Sequence, residues 1–265
     1  MDREMKPLDR KRHRALRLSH NQSYQFVSSR LLVTLVAAEV AHAAREYPVV
    51  FPVGDDPMPM ALLGVKAGEN LHVNGQGQWL GRYIPAVIRS YPFQLMMSEA
   101  EGSGVDSTVR AGILIDESAP HLSDQTGEPL FTETGDPSPV LLRVQKVLVA
   151  LEQDRRRTVD LVSKLIGAGL LVERDLTVRP AGDAGAYQIT GVRVVDKSRL
   201  KQLPSTELQD LMQSGALDLL YAHLLSLTNL KDGWMAKQLA ITATAENPDV
   251  MSDILGSDTI SFDFL

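Results

Sequence analysis

The chain has 265 residues, 44% of them hydrophobic and 23% charged, with a formal net charge of −6 and no cysteine. This length and apolar content suit one large domain or two small ones and exclude a disordered chain. The missing cysteines exclude disulfides, thiol nucleophiles and cysteine-held zinc or iron–sulfur centres.

Charge is unevenly placed. Residues 3–17 carry seven basic groups (Arg3, Lys6, Arg10, Lys11, Arg12, Arg14 and Arg17), whereas residues 246–265 carry five acids and no base. An acidic chain is a poor match to nucleic acid, and the basic start reads as a solvated leader before the first strand. That start is charged throughout and lacks an apolar centre, so no secretory signal is expected. The longest apolar run, Leu31 to Ala38, includes Thr34 and meets Glu39 at once, far too short to span a bilayer. The expectation is a soluble cytoplasmic protein with no transmembrane segment.

In chain order, the alternation Tyr24-Gln-Phe26-Val27 predicts a strand that Ser28 to Val36 continues. Ala37 to Glu46 is alanine-rich with helical spacing and predicts a short helix. Tyr47 to Val53 predicts a buried strand with prolines near its ends, and Met60 to Val65 a further strand. Asn74-Gly75 is a hairpin signal joining Leu71-His72-Val73 to Gly77–Leu80. The stretch Trp79 to Phe93 (WLGRYIPAVIRSYPF) then gathers aromatics, arginines and two prolines. It predicts a turn at Gly81, a short helix from Pro85 and a break at Tyr91-Pro92, and serves as a hub joining front to back. Phe93 to Met97 and Val109 to Ile115 read as strands flanking a polar loop over 98–107. Ser118 to Pro139 is a long turn-rich segment, of the kind that wraps a surface or carries function.

The back half is helical. Val140 to Leu171 presents Leu141, Val144, Val147, Leu148 and Leu151 on one face, continued by Leu161, Val162, Leu165 and Ile166. Leu170–Val178 and Ala186–Val195 predict a small hairpin. Asp196–Leu203 predicts a short helix, Ser205 caps a helix beginning near Glu207, and Ala216 to Leu227 predicts a buried helix. The acidic tail ends in Ile260-Ser-Phe-Asp-Phe-Leu265, an alternation able to add an edge strand or dock in a groove.

Several stretches, in this order, resemble the SapC family of bacterial proteins, named from a protein linked to the surface layer. They are LVAAEVAHAAREYPVVF, ALLGVKAGENLHV, GQWLGRYIPAVIRSYPF, the ILIDESAPHLSDQTGEPLF run, ITGVRVVDKSRLKQLP and SGALDLLYAHLLSLTNL. The resemblance runs from about Leu8 to Leu230. It implies an accessory role in surface-layer or secreted-protein biogenesis, beside a protein or peptide partner. Similar proteins are associated with tryptophan halogenases and cupin-like oxygenases, which implies a place beside peptide or protein modification. The resemblance brings no catalytic residues.

The residues themselves give little direct chemistry. None of the six histidines (His13, His20, His42, His72, His121, His223) sits in HExxH or has an acid two residues on, so no metal and no cofactor is expected. His223, in an apolar helix, reads as a satisfied core histidine. There is no GxSxG elbow and no P-loop. The remaining cluster is acidic: Asp116, Glu117, Glu128, Glu133 and Asp136. Asp116, Glu117 and His121 are the catalytic candidates, by their spacing at the end of a strand. Arg82 and Arg89 of the hub are expected to clamp these carboxylates and pin the long loop. Trp79, Arg82, Tyr83, Arg89 and Tyr91 are the candidate binding residues, offering an aromatic, cationic surface to a peptide.

The expected fold is α+β: an antiparallel β-rich N-terminal half and a helical C-terminal half carrying a small hairpin. A single domain over 1–230 would comprise a β-rich part (20–116), a wrapping loop (117–139) and a helical part (140–230), followed by an acidic extension over 231–265. The functional expectation is a cytoplasmic accessory protein that binds a protein or peptide. The alternative is an enzyme modifying a peptide or small metabolite with carboxylates of the 116–136 region. A third reading, a structural surface-layer protein, requires export.

Overall fold

A computed structural model describes residues 4–19, 23–54, 56, 58–99, 109–178 and 186–239. Most of the polar loop at 98–107, the turn at 179–185 and the terminal alternation at 260–265 lie outside them. The mixed α+β expectation holds, with antiparallel sheets in the front half and helices behind.

The core sheet has five strands in the order β10-β13-β4-β5-β3, all antiparallel. These are Leu32–Thr34 (β3), Val49–Pro52 (β4), Met60–Leu62 (β5), Leu171–Glu173 (β10) and Val192–Val195 (β13). Val49, Val50 and Phe51 are fully buried on both faces, which explains the unbroken apolar run there. Helix α1 (Ala37–Ala43) and helix α6 (Ala216–Ser226) pack together against it. The predicted small hairpin is therefore not a satellite of the helical half. Its outer strands β10 and β13 complete the core sheet, and only its tip, Leu176–Val178 (β11) with Tyr187–Ile189 (β12), stands apart.

A second sheet has the order β1-β7-β6, formed by Met5–Pro7 (β1), Phe93–Glu99 (β6) and Val109–Asp116 (β7). A third, much smaller one has Arg17–Leu18 (β2) between Leu122–Ser123 (β8) and Glu128–Pro129 (β9). This overturns one expectation. The basic N-terminal segment is not a solvated leader: it and the turn-rich loop at 117–139 order each other. Glu117 accepts from Arg12 Nη2 (2.7 Å), pairs with Lys6 Nζ (3.4 Å) and meets His13 Nε2 (2.7 Å). His13 Nδ1 accepts the Asp9 N–H (2.8 Å), so Nε2 carries the proton and donates to Glu117. Arg14 donates to the Glu133 carbonyl and Arg17 to the Gly127 carbonyl. Gly127 has φ +106°, and a Cβ there would strike the Leu18 carbonyl, so the loop crosses β2 only as glycine.

Helix α3 (Pro139–Gly167) joins the two sheets. It is capped by Ser138, whose side chain accepts from the Leu141 N–H, and Pro139 stands at its first position. Leu141 and Leu148 near its start pack beneath the second sheet, while Leu161, Val162 and Leu165 enter the core-sheet cluster. Helices α2 (Ala86–Arg89), α4 (Lys197–Gln202), α5 (Ser205–Ser214) and α7 (Asn229–Asp232) complete the set. Pro204, not Ser205, occupies the N-cap of α5. Residues 234–239 are helical and bury Met235 and Leu239 against the β11–β12 side, so packed chain continues beyond 231.

Two predicted strands are absent. Tyr24–Val27 ends in a 3-10 turn at Gln25–Val27, because the hub recruits both aromatic rings: Tyr24 meets Trp79 edge-on (5.7 Å) and Phe26 stacks on Tyr91 (3.9 Å). The hairpin at Asn74-Gly75 reduces to one bridge, Val73 to Trp79. Asn74 Oδ1 accepts from the N–H groups of Gln76 and Gln78, which widens the turn beyond two residues.

The hydrogen bond from His13, helped by Arg12 and Lys6, holds the Glu117 carboxyl below its usual pKa range. A depressed carboxyl stabilises the folded state in full above its unfolded pKa, near 4.3, and the benefit disappears as pH falls through the folded value. Amide exchange in β1 and β2 is therefore expected to rise on acidification below about pH 4. Glu117→Gln should show the raised exchange already at neutral pH. Unchanged exchange in this variant would remove Glu117 as the pin.

Candidate functional site

The hub is held from behind by helix α1. Glu39 is 5% exposed, and its Oε2 accepts from the Tyr83 hydroxyl and the Ala86 N–H, both at 2.7 Å. Its Oε1 accepts the Val36 N–H (3.0 Å). One turn past the helix, Glu46 accepts the Arg82 N–H on both oxygens (2.9 and 2.8 Å) and the Tyr83 N–H (3.2 Å). Tyr47 Oη and Trp79 Nε1 both donate to the Tyr83 carbonyl, the latter at 3.1 Å. Burial and the Glu39 carboxylate push the Tyr83 phenol up to about 12. The loop acids have other partners: Glu117 the N-terminal segment, and Glu128 Arg143 (2.8 Å). Arg82 engages Glu46 through its backbone, and Arg89 donates to the Ile84 carbonyl (2.9 Å) and lies over the Tyr83 ring. The expected clamp of Arg82 and Arg89 on the acidic loop is not formed.

Two buried histidines flank this arrangement. His223 behaves as expected of a core histidine: Nε2 accepts the Val195 N–H (3.2 Å), so Nδ1–H donates to the Val49 carbonyl (2.8 Å). His72 is fully buried beside Tyr47, Trp79 and Trp234, and neither ring nitrogen has a hydrogen-bond partner among the described residues. Burial drives its pKa down to about 3, and that of His223 to about 4.

On the other side of the hub lies a cleft of about 990 Å³. It opens between the two larger sheets, where α3 spans them. Its walls are β3 (Leu32, Val33, Thr34), β6 (Phe93 to Leu95, with Met97), the hub residues Val87, Ile88 and Ser90 to Pro92, and Leu148 and Leu151 of α3. Arg30, Glu152, Arg155 and Arg156 stand among these, and both α3 arginines share the Glu152 carboxylate (2.7 and 3.0 Å). Strands β3 and β6 are each at the edge of their sheet, with no further strand beside them among the described residues.

The candidate residues from sequence fall into three groups. Tyr91 lines the cleft, stacked on Phe26, and donates to Asp116 Oδ2 (2.8 Å). Asp116 is 1% exposed, and its Oδ1 accepts from Ser118 N–H and Oγ (3.0 and 2.6 Å). His121 lies edge-on to both Tyr91 (5.2 Å) and Phe26 (5.6 Å), and burial lowers its pKa. Asp116, His121 and Tyr91 are thus brought together, whereas Glu117 belongs to the N-terminal segment. Trp79, Arg82, Tyr83 and Arg89 form the α1-facing side of the hub and do not line the cleft. Sequence reasoning missed Glu39 and Glu46. Their spacing of seven places both on one side of a helical register, and that was the available signal. It also missed the cleft arginines, of which Arg155 and Arg156 lie on helix α3. Among the described residues, no three His, Asp or Glu side chains gather as a metal-ligand set. No helix among them is long and apolar enough to cross a membrane.

Two substitutions test the hub. A Cβ at Gly81 would lie 2.7 Å from Glu46 Oε2 and 2.9 Å from Trp79 Nε1. Gly81→Ala is expected to cost about 1–3 kcal/mol in urea unfolding, the usual penalty for overpacking. The second concerns pH. Histidines neutral in the folded state but protonated when unfolded give stability that is intact above about pH 6.5 and erodes by about 1.4 kcal/mol per pH unit per group below it. His72→Phe should remove one proton from that slope between pH 6 and 4, leaving the contribution of His223. An unchanged slope would show that His72 is hydrated or paired in solution.

No curated protein and no solved structure matches the chain. The model of the family described as SapC matches residues 8–232, a span that takes in the core sheet, strands β6 and β7, the hub and the α3–α6 helices. On that match the chain belongs to the SapC family.

Proposed function

We propose that this SapC-family chain is a cytoplasmic accessory protein that binds an extended segment of a protein or peptide partner in the cleft between its two larger sheets. Surface-layer or secreted-protein biogenesis is the setting that family membership suggests. The observation that carries the reading is the pairing of two edge strands, β3 and β6, in the walls of one largely apolar cleft. An edge strand offers unpaired backbone donors and acceptors to an added strand, and alternating pockets then select its side chains. The volume falls at the upper end of the usual range for binding pockets.

A second reading, an enzyme acting on a peptide or small metabolite, is favoured by one feature: Asp116 is buried behind Tyr91 at the wall of the same cleft. Against it, three other carboxylates of the 116–136 region are tied up separately, Glu117 to Arg12, Glu128 to Arg143 and Asp136 to Thr134.

Val87 and Met97 line the cleft and are 42% and 41% exposed, so charges there leave the core intact. Selection from a random heptapeptide display library on the purified protein should enrich alternating apolar sequences. Val87→Glu and Met97→Glu should each weaken the selected peptides at least tenfold. No enrichment, or binding indifferent to both substitutions, would sink the proposal.

A further inference from the structure

The cleft walls carry charge as well as apolar surface, and the charge is ordered along one strand edge. We infer that the cleft selects a partner segment in which acidic residues bracket a short apolar stretch. Arg30 holds the acid at one end of β3, and the Arg155–Arg156 pair holds the acid at the other. This rests on the peptide-binding reading of the cleft and names the chemistry of its partner.

The order follows from the path of the chain. Arg30 stands just before β3 (Leu32–Thr34). At its other end β3 leads through Leu35 and Val36 into α1, whose Ala37 and Ala38 N–H groups donate to Thr158 Oγ1 and Asp154 Oδ2 of α3. Arg155 and Arg156 lie between these two acceptors in sequence, so they stand where β3 ends. Extended chain from Arg30 to Thr34 covers about 13 Å. Between the cationic ends the lining is apolar, with Leu32 and Val33 on the strand and Leu148 and Leu151 on α3. Positions 148, 151, 152, 155 and 156 share one face of that helix, which passes from apolar to charged along its length. A strand added beside β3 therefore meets apolar side chains along its middle and a guanidinium group at each end.

The charge is available to a ligand. Of the two carboxylates that line the cleft, Glu39 is committed to the Tyr83 hydroxyl and the Ala86 N–H. Glu152 is shared by Arg155 and Arg156 (2.7 and 3.0 Å), and Arg155 also feels the charge of Asp56. Arg30 is exposed and has no ion pair among the described residues. A guanidinium group has five N–H donors, so arginines that share one carboxylate retain donors for a second, and the match to a carboxylate is bidentate. A nucleic-acid strand would satisfy the cations through its phosphates but leave the apolar middle unfilled. A peptide that is acidic at both ends and apolar between uses both.

The test uses the full chain and end-capped, fluorescein-labelled heptapeptides. Each alternates threonine and valine through its middle, with both terminal positions aspartate, both asparagine, or one lysine and one aspartate in either order. The aspartate peptide is expected to bind at least tenfold more tightly than the asparagine peptide at low salt, and the gap should close near 1 M salt, where screening acts within about 3 Å. Arg30→Gln, at an exposed site, and Arg156→Gln, which leaves Arg155 on Glu152, should each remove most of that gap and leave asparagine-peptide binding unchanged. Arg30→Glu should prefer one of the two mixed peptides to the aspartate peptide. Equal binding of the aspartate and asparagine peptides overturns acid selection while leaving a peptide-binding cleft. An aspartate preference that survives both glutamine variants and ignores the charge swap overturns the assignment to these arginines. Failure of the aspartate peptide where acid-free library peptides bind also overturns the proposal, as does an oligothymidylate that binds through these arginines where the aspartate peptide does not. Failure of every peptide class overturns the underlying reading as well.

Discussion

Two carboxylates, Glu39 on helix α1 and Glu46 one turn past its end, decide the shape of this molecule. The hub from Trp79 to Phe93 contains two prolines and a short helix, so many of its backbone donors have no partner within the segment itself. Glu46 takes the N–H groups of Arg82 and Tyr83, and Glu39 takes that of Ala86 together with the Tyr83 hydroxyl. Charged acceptors on backbone donors make strong hydrogen bonds, and they satisfy donors that the segment cannot pair by itself. Because α1 packs on α6 and α3, and α6 packs on the core sheet, these bonds fix the hub relative to the core. The exit at Tyr91-Pro92 then fixes where β6 begins, and so where the second sheet stands.

The helix that positions those carboxylates is itself dependent on α3. Val36 at its N-cap has no side-chain acceptor. The first free amides of α1 are met instead by Thr158 Oγ1, from Ala37 N–H at 2.7 Å, and Asp154 Oδ2, from Ala38 N–H at 3.0 Å. An N-cap supplied by another element couples the two, since neither can shift without leaving orphan donors. The same α3 carries Leu148 and Leu151 into the cleft. Core sheet, α1, α3 and hub thus form a closed frame, and the cleft is the space left where the second sheet leans on it.

Much of this frame was legible in the sequence because it rests on local signals. The alanine-rich α1, the apolar face of α3, the short helix α4 and the proline-bounded hub are all written within a few residues of where they act. What failed was pairing over long distance. The arginines of the hub looked matched to the acids that follow them, yet Glu117 is met by basic residues a hundred positions earlier, Glu128 by Arg143, and the hub by Glu39 and Glu46. Charge patterns show that partners exist, but the choice of partner is set by topology, which spacing does not encode. The small hairpin failed for the same reason: its two strands were visible, while their joining to β4 was not. The site followed suit, with Tyr91, Asp116 and His121 converging as their proximity suggested, and the cleft arginines hidden as ordinary helix-surface charge.

The cleft poses a physical problem that its walls do not solve alone. Two strand edges beside apolar side chains form a surface that promotes intermolecular pairing, and proteins blunt such edges with charge, bulges or a covering segment. Here the charge is Arg30 beside β3 and the paired Arg155 and Arg156 on α3. Guanidinium groups discourage a second apolar edge from docking, but they favour an extended segment that carries carboxylates. Blunting and selectivity thus reside in the same residues. The cleft thus stays open, cationic and flanked by two strand edges, and these are the features on which the proposed peptide-binding reading rests.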